Sequence, residues 1–202
     1  MGDIPAPALE ILHAGGVVAY PTSTLPGLAT LPTSEALDRL FTLKQRQANQ
    51  PVSLGVASLE QAQALVDVPE FAYRLLEGFG RGTLTLLLDA HVPLDARLGG
   101  NRVAVRVFAH PTAIALASAV GPVTATSANV AGVAPLDDSQ AAGDLLGLPD
   151  SAILPGACPG GMGSTLVSIE KSSQNPSGFS VSIMREGVIP TNDVDAWMLK
   201  NH

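Results

Sequence analysis

The feature that most constrains this chain is an alternation: short apolar runs of strand length are separated by stretches with helical spacing or helix start signals. The runs are VVAY (17–20), VSLGV (52–56), LTLLL (84–88), VAVRV (103–107), PVTAT (122–126), TLVSI (165–169) and FSVSIM (179–184). Between them lie SEALDRLFTLKQR, SLEQAQALV, PEFAYRLLEGF, HPTAIALASAV and DDSQAAGDLLG. Ser58 and Gln61 have capping-box spacing, and Pro69 and Pro111 suit a first helical turn. Such alternation predicts an α/β fold, a mixed or partly parallel sheet covered by helices. No internal repeat or linker interrupts it, so residues 1–202 read as one domain. KSSQNPSG (171–178) should connect the last two strands, and the tail from Pro190 one closing helix, about 190–200, around Trp197.

Apolar residues make up 46% of the 202, charged residues 14% and aromatics 4%, which suits a compact aliphatic core rather than disorder. A net charge of −7 argues against general affinity for nucleic-acid phosphates. Cys158 is the sole cysteine, so no intramolecular disulfide forms, and a reducing cytoplasm is expected. The segment MGDIPAPALEILHAGG lacks the pattern of a signal peptide, and no apolar run nears the roughly 20 residues of a membrane helix. Four histidines, at 13, 91, 110 and 202, and one cysteine make no protein metal cage. Walker A, GxGxxG and G-x-S-x-G signatures are absent, as is a close pair of carboxylates.

Several polar residues stand out against this apolar background. In SEALDRLFTLK, Leu37, Leu40 and Phe41 define an inward stripe on which Lys44 also falls. A lysine there either snorkels to the rim or points into a polar cavity. Arg46 follows where the helix should end. In VAVRV, Val103, Val105 and Val107 share one strand face and Arg106 the other, so Arg106 needs either an ion pair or a wet cleft. His110 belongs near the cap of the next helix. PVTATSANVAG (122–132) and PTSTLPGL (21–28) both end a strand in hydroxyls, and GACPGGMGSTLVSI (156–169) is a glycine-rich loop entering a strand. Each has a turn-forming composition of its own. Together they place polar clusters at several strand ends, an arrangement with which open α/β sheets bind ligands. Lysine, arginines and glycine-rich backbone suit phosphate and carboxylate groups, which points to a nucleotide plus a small acid.

In order and spacing, the motifs PTSTLPGL, KQRQANQPV (44–52), RGTLTLLL (81–88), VRVFAHP (105–111), TSANVAGVAP (126–135) and STLV (164–167) resemble the YrdC-like family of threonylcarbamoyl-AMP synthases. The resemblance covers about residues 7–187 and is to the short, single-domain form. It implies a twisted mixed parallel/antiparallel sheet flanked by helices, with a large central cavity. It also implies a nucleotidyltransferase that joins L-threonine, bicarbonate and ATP into threonylcarbamoyl-AMP and pyrophosphate. The product would serve N6-threonylcarbamoyladenosine formation at position 37 of tRNA.

By the same resemblance Lys44 and Arg46 contact phosphates and carry catalysis, while Thr22, Thr24, Thr85 and Arg106 hold threonine. Ser127, Asn129 and Ser164 complete the nucleotide side. Mg2+ would arrive on ATP without protein ligands, and no tightly bound organic cofactor is implied. A tRNA threonylcarbamoyl transferase complex would act downstream, with direct tRNA binding weak or absent and no membrane association. The sequence departs from the family pattern at Ser23, at Pro26 (an aromatic elsewhere) and at Ala131. It also departs at Gln47, Arg81, Thr83 and Phe108, where proline is frequent. Arg81 adds a charge expected at the cavity mouth. A related carbamoyl- or adenylate-handling enzyme with another amino acceptor, or a non-catalytic nucleotide- or RNA-binding protein, are the alternatives.

Overall fold

The structure, a computed structural model, describes residues 3–175 and 177–201. Pro176, within the expected connection between the last two strands, lies outside the described residues. So do Met1 and Gly2 of the N-terminal segment, and His202 among the histidines counted above.

Eight strands form one sheet among the described residues. In chain order they are β1 (Val18–Tyr20), β2 (Gly27–Ala29), β3 (Ser53–Val56), β4 (Leu84–Asp89), β5 (Arg102–Val107), β6 (Val123–Ser127), β7 (Thr165–Lys171) and β8 (Phe179–Arg185). Their spatial order is β1-β2-β6-β3-β5-β4-β7-β8. The β3–β5 and β4–β7 pairs are parallel and the remaining pairs antiparallel, so the sheet is mixed, as expected. β7 and β8 form an antiparallel hairpin in register from Val167↔Ile183 to Lys171↔Phe179, with a register shift before Leu166↔Arg185.

Among the described residues seven α-helices accompany the sheet: α1 (Ala6–His13), α2 (Ser34–Lys44), α3 (Leu59–Ala62), α4 (Glu70–Phe79), α5 (Pro111–Val120), α6 (Ser139–Leu145) and α7 (Thr191–Lys200). Two differ from expectation for local reasons. The helix expected over 58–66 holds only through Leu59–Ala62. Ser58 Oγ accepts from Gln61 N–H, but Gln61 Oε1 takes the Ala57 N–H rather than that of Ser58, so the box closes one residue early. Pro69 is the cap residue of α4 rather than its first helical residue, whereas Pro111 does open α5. His110 caps α5, its Nδ1 accepting from Thr112 N–H at 3.2 Å.

Strand alternation divides the apolar side chains between two cores. Val103, Val105 and Val107 of β5 join Leu84, Leu86 and Leu88 of β4 in the larger, which α2 and α4 cover. Val18 and Tyr20 face the smaller, under α1 and α5. Arg106 and Thr85, one residue out of phase, project to the face opposite the larger core. The register that buries the valines therefore also places the site residues.

Gly55 in β3 shows how closely the smaller core is packed. A Cβ there would penetrate the Phe108 ring, which is buried and meets Tyr20 edge-on at 5.6 Å between centroids. Gly55→Ala is therefore expected to lower stability by about 2–3 kcal/mol, measured as a reduced urea midpoint with an unchanged slope. A midpoint matching wild type would mean that Phe108 gives way freely.

Candidate functional site

A cavity of about 340 Å3 opens over the face carrying Arg106 and Thr85. Its walls come from segments far apart in sequence: the 22–27 loop after β1, the start of β3, the end of β6, the approach to β7 and the end of β8. The polar clusters thus gather over one sheet face rather than at its outer edge.

PTSTLPGL is a built loop, not a plain turn. The Thr22 hydroxyl donates to the Leu25 carbonyl at 2.6 Å and accepts from Thr24 N–H at 3.1 Å. Thr22 N–H donates to the buried Cys158 Sγ at 3.3 Å, and Gly160 N–H to the Thr24 carbonyl at 2.9 Å. The loop then turns straight into β2, where Gly27 packs against Tyr20; a Cβ would stand 2.6 Å from Tyr20 Cζ. Both threonines are buried and line the cavity.

Arg106 is only 8% exposed, and among the described residues it has no carboxylate partner. Its Nε and Nη2 donate to the Gly82 carbonyl at 3.2 and 2.8 Å, and Nη2 donates to Thr24 Oγ1 at 2.8 Å. A guanidinium held this way, in a cavity wall and without a counter-ion, has capacity left for an anion. Burial pushes its pKa down, with a smaller contribution in the same direction from the charge of Arg185.

Arg46 also lines the cavity, fastened by Nε to the Gln50 carbonyl at 2.6 Å and by Nη2 to the Pro51 carbonyl at 3.0 Å. Across the cavity Thr85 Oγ1 and Ser164 Oγ share a hydrogen bond of 2.6 Å. Ser127 lines the same space at the end of β6.

Lys44 and Asn129 stand behind this wall rather than in it. Lys44 is 1% exposed; its Nζ donates to the Ser127 carbonyl and to the Asn129 carbonyl, the latter at 2.8 Å. Burial first, and Arg46 second, lower its pKa to about 8. It neither snorkels nor projects freely into the cavity: it fixes the loop that carries Ser127. The Asn129 amide is engaged with the Ser127 hydroxyl and with the Val130 and Val133 carbonyls. Gln45, between the two cations, has φ +50°, and among the described residues it is the sole non-glycine with positive φ. That left-handed residue ends α2 and sends Lys44 and Arg46 to different places.

Other lining residues were not singled out from sequence. Tyr20 read as strand core; its hydroxyl donates to the Thr124 carbonyl at 3.1 Å. Arg185 closes the edge strand and donates to the Ser164 carbonyl at 3.0 Å. Glu186 is the one carboxylate in the lining. Arg81 corrects an expectation, since its guanidinium is absent from the cavity wall and binds the Ala57 and Phe108 carbonyls instead.

The mixed α/β sheet thus opens on a polar cavity lined by three arginines, Arg46, Arg106 and Arg185, whose charge suits small anionic molecules. The family model Sua5_yciO_yrdC, described as "Telomere recombination", matches residues 10–187. The chain belongs to this Sua5/YciO/YrdC family. It is 31% identical over 194 residues to the threonylcarbamoyl-AMP synthase of Pyrococcus abyssi, covering 93% of this chain and 55% of that protein. It is 36% identical over 153 residues to the Vibrio vulnificus threonylcarbamoyl-AMP synthase, covering 72% and 82%. The crystal structure of P. abyssi Sua5 complexed with L-threonine has a TM-score of 0.79 at 29% identity over 94% of this chain and 55% of that one. E. coli YciO, at 24% identity, shares the fold over 95% of each chain with a TM-score of 0.71. The chain thus spans about half the length of the P. abyssi relative.

Proposed function

We propose that the chain is an L-threonylcarbamoyladenylate synthase, a nucleotidyltransferase that forms threonylcarbamoyl-AMP and pyrophosphate from L-threonine, bicarbonate and ATP. The observation that carries this reading is Arg106, buried, bonded to Thr24 and, among the described residues, without a carboxylate partner. It is supported by a relative at 29% identity that was solved complexed with L-threonine.

Arg106 receives the threonine carboxylate, and Thr22, Thr24 and Thr85 lie where they contact the rest of the amino acid. The amine adds to CO2 with loss of a proton, or to bicarbonate with loss of water, to give a carbamate; a carbamate oxygen then forms a bond to the α-phosphorus as the bond to pyrophosphate breaks. No covalent enzyme intermediate is needed. The protein contributes positioning and neutralisation of charge. Arg46, together with Ser127 and Ser164, faces the nucleotide, while Lys44 and Asn129 hold the shape of that end.

In this reading Mg2+ arrives on the triphosphate of ATP. The product would pass to a tRNA threonylcarbamoyl transferase complex in the cytoplasm. No helix among the described residues is long and apolar enough to cross a membrane.

Pro26 favours keeping a second reading, because it lines the cavity at the position of the family's aromatic and alters the wall beside the amino acid. Pyrophosphate release with ATP, Mg2+ and bicarbonate decides between the two. Release is expected to depend on L-threonine. Release indifferent to threonine would overturn the synthase reading, and stimulation by a different amino acid would assign another acceptor.

A further inference from the structure

Among the acceptors that aim the Arg106 guanidinium, the Gly82 carbonyl oxygen takes two of its N–H groups, while Thr24 Oγ1 and Ser23 Oγ accept from Nη2 at 2.8 and 3.4 Å. The Gly82 carbonyl sits in a turn with little stiffness of its own. Gly80 and Gly82 have φ +83° and +80°, and glycine lacks the Cβ that restricts other residues. Gly82 is also confined, because a Cβ would meet Ser23 Oγ and stand 2.9 Å from the Ala109 Cβ.

Three side-chain and backbone links stiffen the turn. Thr83 Oγ1 engages the Phe79 and Gly80 carbonyls at 3.0 and 2.8 Å, and the Thr83 carbonyl accepts from Thr165 N–H at 2.9 Å. Both act after Gly82 or within the turn itself. Only the third, Arg81, ties the turn to the segment that carries Arg106. Its Nε donates to the Phe108 carbonyl at 3.1 Å, and its Nη2 donates to the Ala57 carbonyl. Phe108 lies two residues beyond Arg106. The two arginines therefore form a reciprocal clamp, Arg106 holding the backbone beside Arg81 and Arg81 holding the backbone beside Arg106.

We propose that Arg81 is a positioning residue for amino-acid recognition: it fixes the Gly82 carbonyl and, through it, the face that Arg106 presents to a carboxylate. The inference rests on the synthase reading for the identity of the ligand, but the clamp itself does not. Carboxylate recognition by a guanidinium fork is directional, so a tilt of the fork weakens the amino acid. On the nucleotide side, Arg46 and Ser127 share no hydrogen bond with Arg81, Gly82 or Thr83 among the described residues; the turn reaches that side through the Thr83 carbonyl and Thr165 N–H, one residue after Ser164, and Arg81 takes no part in that bond.

Arg81→Met keeps the apolar stem and removes the donors. In the full-length variant, half-saturating L-threonine for pyrophosphate release is expected to rise about fivefold to tenfold, well beyond any change for ATP. Arg81→Lys, with one donor group, should recover part of the loss. Starting from Arg106→Lys, adding Arg81→Met should produce no further selective loss, because the fork it aims is gone. Nitrogen-15 spectra of the ligand-free protein give a readout independent of activity. The Arg106 Nε–H signal, assigned by its absence in Arg106→Lys, should exchange with solvent about fivefold faster or more in Arg81→Met.

Unchanged Nε–H exchange would overturn the inference, as would equal weakening toward ATP and threonine, the mark of general loosening. If wild-type protein shows no response to threonine, the synthase reading fails, while the exchange rates still decide whether Arg81 aims Arg106.

Discussion

Replacing Arg106 by alanine is expected to lower kcat/KM for L-threonine in pyrophosphate release about a hundredfold, from loss of a charge-assisted pair of about 3 kcal/mol. The effect is large because the guanidinium is buried and, among the described residues, no carboxylate pairs with it. Within that low-dielectric wall, a carboxylate that loses its partner cannot be compensated by water. Arg106→Lys keeps the charge without the fork and should fall between wild type and alanine. ATP half-saturation and the thermal midpoint are the controls that separate a lost contact from a lost fold. Threonine dependence surviving the alanine substitution within twofold would remove Arg106 from the amino-acid end.

Lys44→Met is the second change with a large expected effect, here on stability and through its pH dependence. Methionine fills the space of the lysine stem but leaves the Ser127 and Asn129 carbonyls without their donor. The expected loss at pH 7 is about 2–3 kcal/mol. Burial brings the lysine to about pKa 8 in the folded protein, against about 10.4 in an unfolded chain. Between those values the unfolded chain keeps a proton that the folded one has released, so raising the pH favours the folded state. Wild-type stability minus that of Lys44→Met should therefore be flat below pH 7. It should climb from pH 8 to 10 by up to about 1.4 kcal/mol per unit. Urea unfolding of both proteins across that range measures it. A difference that shrinks as the pH rises would mean the ammonium is not desolvated in the folded state.

Most of the sheet was legible because its strands are apolar runs of strand length, and each of the seven expected runs overlaps a strand. β2 was not, since Gly27–Ala29 has only three residues, too few to show alternation, and sits inside a motif that reads as a turn. Its partners are specified by tertiary register, Gly27↔Ser127 and Tyr20↔Gly27, which no local pattern encodes. α1 is hard to read from sequence because Pro5 and Pro7 flank its start and it spans only eight residues.

The site divides the same way. Arg106 was legible because a charge amid valines has to be explained, and the face it takes follows from period two. Thr22, Thr24, Arg46, Thr85, Ser127 and Ser164 line one cavity with it. Helical spacing placed Lys44 on an inward stripe but could not say what waits there. The answer, one carbonyl at the end of β6 and one just beyond it, lies more than 80 residues away. Arg185 gave no signal at all, because an arginine at the exposed end of an edge strand is ordinary until the fold brings Ser164 beside it.

Gln45 adds a constraint that touches no ligand. Its left-handed backbone parts two cations that are neighbours in sequence, setting Lys44 to scaffold work and leaving Arg46 to the cavity. Glycine, asparagine and aspartate enter that conformation readily, whereas β-branched residues do so at considerable strain. Evolutionary drift at position 45 is therefore narrowed by geometry alone, and a family member could lose the separation of its two cations through a residue that never meets a substrate.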